Sequence, residues 1–400
     1  MTKKHVTVIM ALMLVVAVIQ ACSKLVPAAL PDDKILDGPV EGLSYEQNRR
    51  FLAGDLAFND EVFTSATGLG SIFVATSCGS CHAGDGKGHP FTTLTRFGQT
   101  DSTGNKFLHL GGPQLQDRAL PGFKPEQIPA GATFSKFTPP ANTGLGFLEL
   151  VSDQDIIAMA DPADINGDGI SGVPNWMPVP GFISPNTNAV AQNGKYIHRF
   201  GKKAAAYNLL HQTANAYSQD IGIASSFEPT DVYSGEDIDP EISTATVNNV
   251  VFYLQTLKAP IQREQNDPVV IQGKDLFVQA GCENCHKQSL RTGYSAVTPL
   301  SNKIFHPYTD LLLHDMGTLL DDGYTEGNAK TFEWRTPPLW GLGLSPKSQG
   351  GQYFLMHDGR AKSIEAAIQF HGGEGENSKD KFSQMTLPDR NAIIKFLKSL

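Results

Sequence analysis

The chain has 400 residues and a formal charge of −9, from 41 acidic and 32 basic side chains. This length predicts two or three domains, and the acidic balance argues against nucleic acid while allowing a basic protein as partner. Glycine and proline, at 39 and 25 residues, exceed average usage and predict long loops around a rigid group.

The first 45 residues carry signals for export and tethering. Two lysines precede an apolar run over Val6–Ala21, and Cys22 follows. A basic start, a short apolar segment and a small residue before cysteine are typical of a bacterial lipoprotein signal. We therefore expect a signal peptide over 1–21, lipidation of Cys22, a membrane-anchored tether over 22–45, and a folded part in the periplasm. The serine after the cysteine favours the outer membrane, and an uncleaved helical anchor is the alternative.

Two copies of the pattern Cys-x-x-Cys-His occur, at Cys78–His82 and Cys282–His286. In this pattern both thiols add to the vinyl groups of one haem, and the adjacent imidazole becomes an axial ligand of the iron. A zinc knuckle would need closely spaced ligand pairs, and a thioredoxin-like redox pair does not require the following histidine. The sequence predicts two covalently bound c-type haems, held by Cys78, Cys81, His82, Cys282, Cys285 and His286.

A weak internal repeat predicts the architecture. Ile72–Cys78 matches Leu276–Cys282 in apolar pattern, and both segments are predicted to be helices that lead into a haem motif. Val250–Leu257 matches Ile393–Leu400, each apolar at helical spacing, and these are predicted to be closing helices. A coincidental likeness of short apolar stretches is the alternative.

These elements predict a mainly α fold of two cytochrome c-like haem domains with long loops, covering residues 46–259 and 260–400. The first domain is longer and contains an insertion. Within it, Asp164–Ile170 offers oxygen ligands at alternate positions, and a glycine stands where a calcium loop turns sharply. A calcium site is therefore predicted, with Asp164, Asn166 and Asp168 as ligands. A solvated turn is the alternative, and Asn175 in place of a bidentate glutamate argues against a complete EF-hand.

Each haem iron has a second axial face, which a methionine, histidine or tyrosine can occupy or which stays open for a substrate. The candidates are His89, His109, His198, His211, His314, Met356 and His357. Met356 and His357 stand out because they lie in a predicted turn before a helix that Ser363 can cap and Gly372 can end. We expect this turn to lie over a haem face, with Met356 as the haem ligand.

Several short motifs resemble known di-haem enzymes. Arg335–Leu339, His357–Arg360 and Glu365–Ile368 resemble the C-terminal half of bacterial di-haem cytochrome c peroxidases and MauG-type enzymes. A narrower resemblance, to the di-haem oxidoreductase, putative peroxidase family, rests on Gly144–Glu149, Asp161–Asn175, Arg199–Ala204, His314–Gly317 and His371–Glu374.

This resemblance implies an enzyme that reduces hydrogen peroxide with electrons from a small cytochrome or cupredoxin. The haem at His82 would be the peroxidatic site, the haem at His286 the electron entry site, and calcium would lie between them. Glu149 is the candidate for proton transfer, with a helix-start contact to backbone amides as the alternative. Arg118 and Gln116 are weaker candidates for the same pocket.

Trp176 is the candidate aromatic bridge between the haems, with Trp334 and Trp340 expected to pack the second core. Two other functions remain open. One is an electron-transfer lipoprotein without peroxidase activity. The other is a MauG-like oxidase of a partner protein, in which Tyr353 supplies an unusual axial ligand.

Overall fold

The computed structural model describes His5 and residues 31–400. Contacts divide the chain into two compact units, Met1–Ile35 and Leu36–Leu400. The described part of the first unit contains a 3₁₀ turn over Asp32–Lys34. The apolar run of the predicted signal peptide and the predicted lipidation site Cys22 lie outside the described residues. Within the described residues, no helix has both the length and the apolar character needed to cross a membrane.

The structure contains more helix than strand. Helical residues make up 34% and strand residues 13%, so the prediction of a mainly helical fold is confirmed. The α-helices of the described residues are α1 Tyr45–Asp55, α2 Leu145–Glu149, α3 Asp153–Met159, α4 Leu209–Ala216, α5 Thr244–Thr256, α6 Pro268–Gln279, α7 Ser345–Ser348, α8 Ile364–Gln369, α9 Glu376–Gln384 and α10 Leu387–Ser399. Two π-helical segments, Leu56–Asp60 and Tyr217–Ile221, continue α1 and α4.

Short 3₁₀ turns occur within the loops of the second unit. They are Ala83–Asp85, Pro90–Thr92, Leu108–Leu110, Cys282–Asn284, Thr298–Leu300, Thr318–Leu320, Leu342–Leu344 and Gly373–Gly375. Ser363 caps α8 by accepting the Ala366 N–H, as predicted.

The strands are short and pair in antiparallel fashion. They are β1 Ile72–Phe73, β2 Leu94–Phe97, β3 Arg118–Ala119, β4 Phe134–Phe137, β5 Asn175–Met177, β6 Ala191–Gln192, β7 Lys195–His198, β8 Leu290–Arg291, β9 Ile304–Phe305, β10 Leu313–Asp315 and β11 Glu333–Arg335. The described sheets are β1-β3, β2-β4, β8-β9, β10-β11 and the three-stranded β5-β7-β6. Such small sheets shape loops and do not form a core of their own.

Two helix pairs organise the unit, and a glycine lies at each crossing. Helix α1 packs on α5, and α6 packs on α10. A Cβ atom at Gly54 would lie 2.1 Å from the Asn249 carbonyl oxygen, and one at Gly273 would lie 2.0 Å from the Ala392 carbonyl oxygen. Only glycine lets the two backbones approach this closely.

Each crossing is surrounded by its own apolar core. Phe51, Phe58 and Tyr253 belong to a cluster around α1 and α5, against which Cys78 packs. Phe277 and Phe396 belong to a cluster around α6 and α10, against which Cys282 packs. Each haem motif therefore lies against one helix pair. The division of this unit into domains 46–259 and 260–400, and the insertion in the first, stay predictions.

The closing helices expected at Val250–Leu257 and Ile393–Leu400 are confirmed as parts of α5 and α10. The helix expected before the second motif is confirmed as α6. The helix predicted over Ile72–Cys78 is wrong, because this segment begins with strand β1 and continues as a loop.

Tertiary contacts explain the extended segment. Ile72 and Phe73 pair with Ala119 and Arg118, and the next two backbone N–H groups, of Val74 and Ala75, donate to the Asp220 carbonyl at 2.8 and 2.9 Å. The helix that corresponds to α6 is instead α1. It begins at a capping box in which Ser44 and Gln47 bond each other's backbone N–H groups.

Candidate functional site

The first Cys-x-x-Cys-His motif forms a turn beside the π-helical segment that continues α1, where the Gly79 N–H donates to the Phe58 carbonyl at 3.0 Å. The backbone N–H groups of Cys81 and His82 donate to the Cys78 carbonyl at 3.1 and 3.0 Å. Nδ1 of His82 lies 3.1 Å from the Pro140 carbonyl oxygen, and the ring of Phe58 lies 5.8 Å from the imidazole. The carbonyl contact fixes the tautomer and leaves Nε2 available to a metal.

The second motif repeats this geometry at the end of α6. The His286 N–H donates to the Cys282 carbonyl at 3.0 Å, and Nδ1 of His286 lies 2.9 Å from the Tyr308 carbonyl oxygen. The ring of Phe277 lies 6.4 Å from the imidazole. Burial lowers the pKa of both His82 and His286 to about 4, so each imidazole is neutral, as a metal ligand must be.

Both motifs line one cavity of about 870 Å³. Its walls include all six motif residues Cys78, Cys81, His82, Cys282, Cys285 and His286, together with many apolar side chains. The apolar walls, the four thiols of the two motifs and the two imidazoles available through Nε2 fit haem groups attached through thioethers. The six residues would hold them.

The thiols are not suited to the alternative chemistries. Burial raises the pKa of Cys78 and Cys282 to about 12 and that of Cys81 to about 11, and it also raises the pKa of Cys285. Zinc binding and disulfide exchange both require thiolates, which a lowered pKa favours. Neutral thiols beside an apolar cavity therefore favour haem over a zinc knuckle or a redox disulfide.

The residues predicted as candidates for the second axial face of each haem iron fall into two groups by their position. His211, His314, Met356 and His357 line the cavity, whereas His89, His109 and His198 do not. Met356 has a left-handed backbone with φ of +68°, which is unusual for a residue other than glycine. Its carbonyl accepts the Lys87 ammonium at 3.2 Å. The predicted turn is therefore pinned over the cavity by its backbone.

Two of the cavity histidines are held by carboxylates. Nε2 of His357 lies 2.6 Å from Asp322. Nε2 of His314 lies 2.8 Å from Asp310, and its Nδ1 lies 2.6 Å from Glu374. Although burial favours the neutral imidazole, the charge of Asp310 and these hydrogen bonds raise the pKa of His314 well above its usual value. Neither side chain has its Nε2 atom available to an iron.

His314 also belongs to a group whose ligand atoms lie within 4.8 Å of one another, with Cys285 and Asp310. In this arrangement the imidazole is a buried cation between two carboxylates. A thioether at Cys285 would remove the thiolate that a metal needs. We therefore interpret the group as an ion pair beside the second motif.

A polar cluster next to the first motif was not predicted from the sequence. Arg96 pairs with Glu326 at 2.5 Å and donates to Gln114 at 3.1 Å. Gln114 in turn donates to the carboxylate of Asp220. Arg96, Gln114, Asp220 and Glu326 all line the cavity, so the cluster brings an acid, an amide and a cation to the haem site.

Asp220 has the properties of a proton-transfer group. Burial raises its pKa to about 6, although the hydrogen bond from Gln114 and the charge of Arg96 oppose this shift. Its charge raises the pKa of both Cys78 and Cys81, which places it close to the first motif. A carboxyl group with a pKa near neutrality can both accept and donate a proton.

Glu149 does not line the cavity. Its carboxylate accepts the Leu209 N–H at the start of α4 and the Gln255 amide, both at 2.7 Å. The catalytic role predicted for Glu149 therefore gains no support from its position, and the helix-start alternative describes its contacts. Gln116, buried, and Arg118, exposed, also lie away from the cavity walls.

The tryptophans are also placed differently from expectation. Trp334 and Trp340 line the cavity, whereas Trp176 does not. Trp176 lies in β5 and packs partly buried against the first core. Trp334 is buried, and its ring stacks on His357. Trp334 is therefore better placed than Trp176 to connect the two motifs.

The loop with Asp164, Asn166 and Asp168 lies beside the second motif. Asp164 accepts the Gly169 N–H at 3.2 Å, and Asp168 accepts the Ile170 N–H at 2.9 Å. The other carboxylate oxygen of Asp168 lies 3.5 Å from the Asn284 amide. The loop is thus shaped by its own side chains and contacts the Cys282–His286 turn.

One family profile agrees with the motifs, and solved structures of low sequence identity resemble the chain. The profile of the family described as di-haem oxidoreductase, putative peroxidase matches residues 137–400. The chain is similar to a solved structure of hydrazine synthase from Kuenenia stuttgartiensis, pressurised with 20 bar xenon, at 12% identity and a TM-score of 0.41, over 94% of this chain and 98% of that chain.

It is also similar to a solved MauG-like protein associated with microbial copper homeostasis, at 14% identity and a TM-score of 0.39, over 94% of each chain. No curated protein matches the chain. The family profile covers more than half of the sequence and confirms the resemblance drawn from its motifs. The protein belongs to the di-haem oxidoreductase, putative peroxidase family.

Proposed function

We propose that this protein is a peroxidase with two covalently bound c-type haems, which reduces hydrogen peroxide to water with electrons from a small cytochrome or cupredoxin. The observation that supports this proposal is the shared cavity, which joins both Cys-x-x-Cys-His motifs to a proton-handling cluster at the first. When bound, the haems supply the redox chemistry, with peroxide reduced at the His82 site and electrons entering at the His286 site.

The protein's own contribution at the first site is proton transfer. Peroxide reduction needs a group that takes a proton from one peroxide oxygen and returns it to the other, which leaves as water. Asp220 suits this role because it lines the cavity and its pKa lies at about 6. Gln114 orients the carboxyl group by its hydrogen bond.

Arg96 provides fixed positive charge beside Asp220. Its guanidinium is held by Glu326 at 2.5 Å and by the Tyr324 hydroxyl at 3.2 Å. A cation that is already oriented stabilises negative charge developing on an oxygen without reorganisation during the reaction. This arrangement favours an enzyme over a protein that only carries electrons, which needs no such cluster.

We also propose a cellular location, a calcium site and a further haem ligand for this protein. The apolar start of the chain and Cys22 support a lipoprotein that faces the periplasm from the outer membrane. The loop at Asp164, Asn166 and Asp168 is proposed to bind calcium. Met356 is proposed as an axial ligand in the turn that lines the cavity.

Stopped-flow absorbance of the pre-reduced, haem-loaded protein mixed with hydrogen peroxide tests this function. Fast oxidation that a reduced cytochrome donor sustains over many turnovers is expected. Oxidation no faster than that of an ordinary six-coordinate cytochrome would support the electron-transfer alternative. Fast oxidation that a cytochrome donor cannot sustain, followed by oxidation of a partner protein, would support a MauG-like oxidase.

A further inference from the structure

Three cationic side chains from distant parts of the sequence meet on the cavity wall. Lys87, Lys202 and Arg335 all line the cavity and are partly buried. The Arg335 N–H donates to the Lys202 carbonyl at 3.0 Å, which fixes these two residues side by side. Burial, and then the charges of Lys87 and Arg335, lower the pKa of Lys202 well below its usual value.

The protein supplies these cations with few acceptors. The Lys87 ammonium donates to the Met356 carbonyl at 3.2 Å. Arg335 donates through Nε to the Gly201 carbonyl at 2.9 Å and through Nη1 to the Thr336 carbonyl at 3.1 Å. Within the described residues, the Lys202 ammonium has no hydrogen bond or ion pair.

The nearby carboxylates are already engaged by other groups. Burial lowers the pKa of Lys87 to about 8 and that of Lys202 well below its usual value, and the charge of Asp358 opposes both shifts. The Asp358 carboxylate, however, bonds Arg360 at 2.8 Å. Burial lowers the pKa of Arg335 to about 10, and the charge of Asp310 opposes this shift. The Asp310 carboxylate, however, bonds His314 at 2.8 Å. Among the residues that the structure describes, none of the three cavity cations therefore has a carboxylate of its own.

The neighbouring Lys203 is a cation whose ammonium has three hydrogen-bond acceptors in the protein. Its ammonium donates to the carbonyls of Lys330, Thr331 and Glu333 at 3.1, 2.9 and 2.7 Å. The side chain is fully buried and lies over the ring of Trp334 at 3.9 Å. The two consecutive lysines thus differ in their contacts. Lys203 is bonded inside the protein, whereas Lys202 lines the cavity and has no hydrogen bond or ion pair among the described residues.

Three like charges on the wall of a largely apolar cavity are unfavourable unless an anion is bound there. Haem carries two propionate side chains, and each ends in a carboxylate. The apolar porphyrin fits the apolar walls, and its carboxylates need cations. We propose that Lys87, Lys202 and Arg335 bind the haem propionates at the place where the two haem sites meet.

The position of the cluster between the motifs supports this assignment. Burial lowers the pKa of His82, and the charge of Lys202 lowers it further, which agrees with Lys202 lying on the side of the first motif. The Thr336 carbonyl, which accepts Arg335, also accepts the Thr309 hydroxyl at 2.6 Å. The neighbouring Tyr308 carbonyl lies 2.9 Å from Nδ1 of His286, so Arg335 lies towards the second motif. The inference depends on haem being bound and does not depend on peroxidase activity.

The cluster has a consequence for the redox properties. A cation next to a haem favours the state with one more electron, so removing it should lower the reduction potential of that haem. Lys202→Gln is expected to lower the midpoint potential of the first haem, and Arg335→Gln that of the second. Lys202→Arg, which keeps the charge, should retain the potential.

The experiment uses the haem-loaded protein with resonance Raman spectroscopy and spectroelectrochemistry. Lys202→Gln and Arg335→Gln are expected to shift the bands of the propionate bending vibrations and to lower the midpoint potentials. Lys124→Gln, at an exposed lysine away from the cavity, controls for the change in net charge and should leave both unchanged.

Unchanged propionate bands and potentials in Lys202→Gln and Arg335→Gln would overturn the inference, whatever the peroxidase activity of these variants. If Arg335→Gln does not fold, because it also loses two carbonyl contacts, Lys87→Gln takes its place. Lys203→Met separates structure from propionate binding. It should lower the melting temperature but leave the propionate bands in place.

Discussion

The imidazole of His357 lies nearly parallel to the indole of Trp334, with ring centroids 3.8 Å apart and 14° between the planes. Lys203 covers the indole ring at 3.9 Å, and Nε1 of Trp334 donates to the Leu320 carbonyl at 2.8 Å. This stack lies on the wall of the cavity that holds both haem motifs. It offers an aromatic connection between them.

Trp334→Phe should slow electron transfer between the haems while haem content stays unchanged. Phenylalanine keeps the packing but removes the indole and its hydrogen bond, at a cost of about 1 kcal/mol in stability. The measurement is single-turnover oxidation of the second haem after mixing with peroxide. Trp176→Phe, at a tryptophan off the cavity wall, is the matched control. Equal rates in the two variants would remove Trp334 from the path.

Asp220→Asn should lower kcat/KM for peroxide by about 10²-fold or more, the usual contribution of a positioned acid or base. Arg96 and Gln114 are the charged and polar groups that face this carboxyl group. Because its pKa is about 6, the carboxylate that accepts a proton forms as pH rises through 6. The kcat/KM should therefore rise over the same range.

This rise in kcat/KM should disappear in Asp220→Asn. The exposed Asp117, changed to asparagine, is the control and should keep the wild-type profile. A profile that is the same in wild type and Asp220→Asn would contradict the assignment.

Glu149→Gln should destabilise the protein by about 1–2 kcal/mol and leave turnover per haem unchanged. The substitution weakens the acceptor of the Leu209 N–H and the Gln255 amide. Thermal unfolding and peroxide turnover, measured on the same haem-loaded sample, separate the two effects. Lost turnover at unchanged stability would restore Glu149 to the mechanism.

Gly54→Ala and Gly273→Ala should each lower stability by about 1–3 kcal/mol, the usual effect of overpacking. The added methyl group would meet the backbone oxygen of Asn249 or Ala392, which cannot rotate away. Gly181→Ala, where nothing lies within 4 Å of the added atom, is the control. Melting temperatures are the measurement, and equal values in all three variants would show that the crossings tolerate side chains.

Calcium should stabilise the protein by binding the loop at Asp164, Asn166 and Asp168. At a free concentration 100 times the Kd, the gain is about 2.7 kcal/mol. Isothermal titration calorimetry should show binding that Asp164→Ala abolishes and Asp117→Ala does not. No heat of binding in the wild type would leave the loop as a self-bonded turn.

The sequence was sufficient to predict the two haem motifs, the closing helices and the family, because each depends on a local pattern. It misplaced the helix of the first half because the repeated signal is not Ile72–Cys78. The signal is a glycine followed four positions later by phenylalanine, at Gly54 and Phe58 and again at Gly273 and Phe277. Each phenylalanine lies near its motif histidine, whatever the length of chain between them.

The polar cluster could not be predicted from local patterns. Gln114 and Asp220 are 106 positions apart and meet only through the fold. The role predicted for Glu149 gains no support from its contacts for a related reason. A carboxylate that accepts backbone N–H groups and one that faces a cavity look alike in sequence, and only the neighbours at Leu209 and Gln255 distinguish them.

The two glycine crossings also bear on how the protein matures. The hydrogen bond from Asn59 to Tyr253 spans 194 positions, and that from Gln272 to Asp389 spans 117. The entropic free energy of closing these two loops differs by only about 0.4 kcal/mol. Chain entropy therefore does not strongly favour forming one crossing before the other. Each haem motif lies inside the loop that its own crossing closes. If a haem is joined to the open chain, it is enclosed when its crossing forms, and the two halves can then acquire their haems in either order.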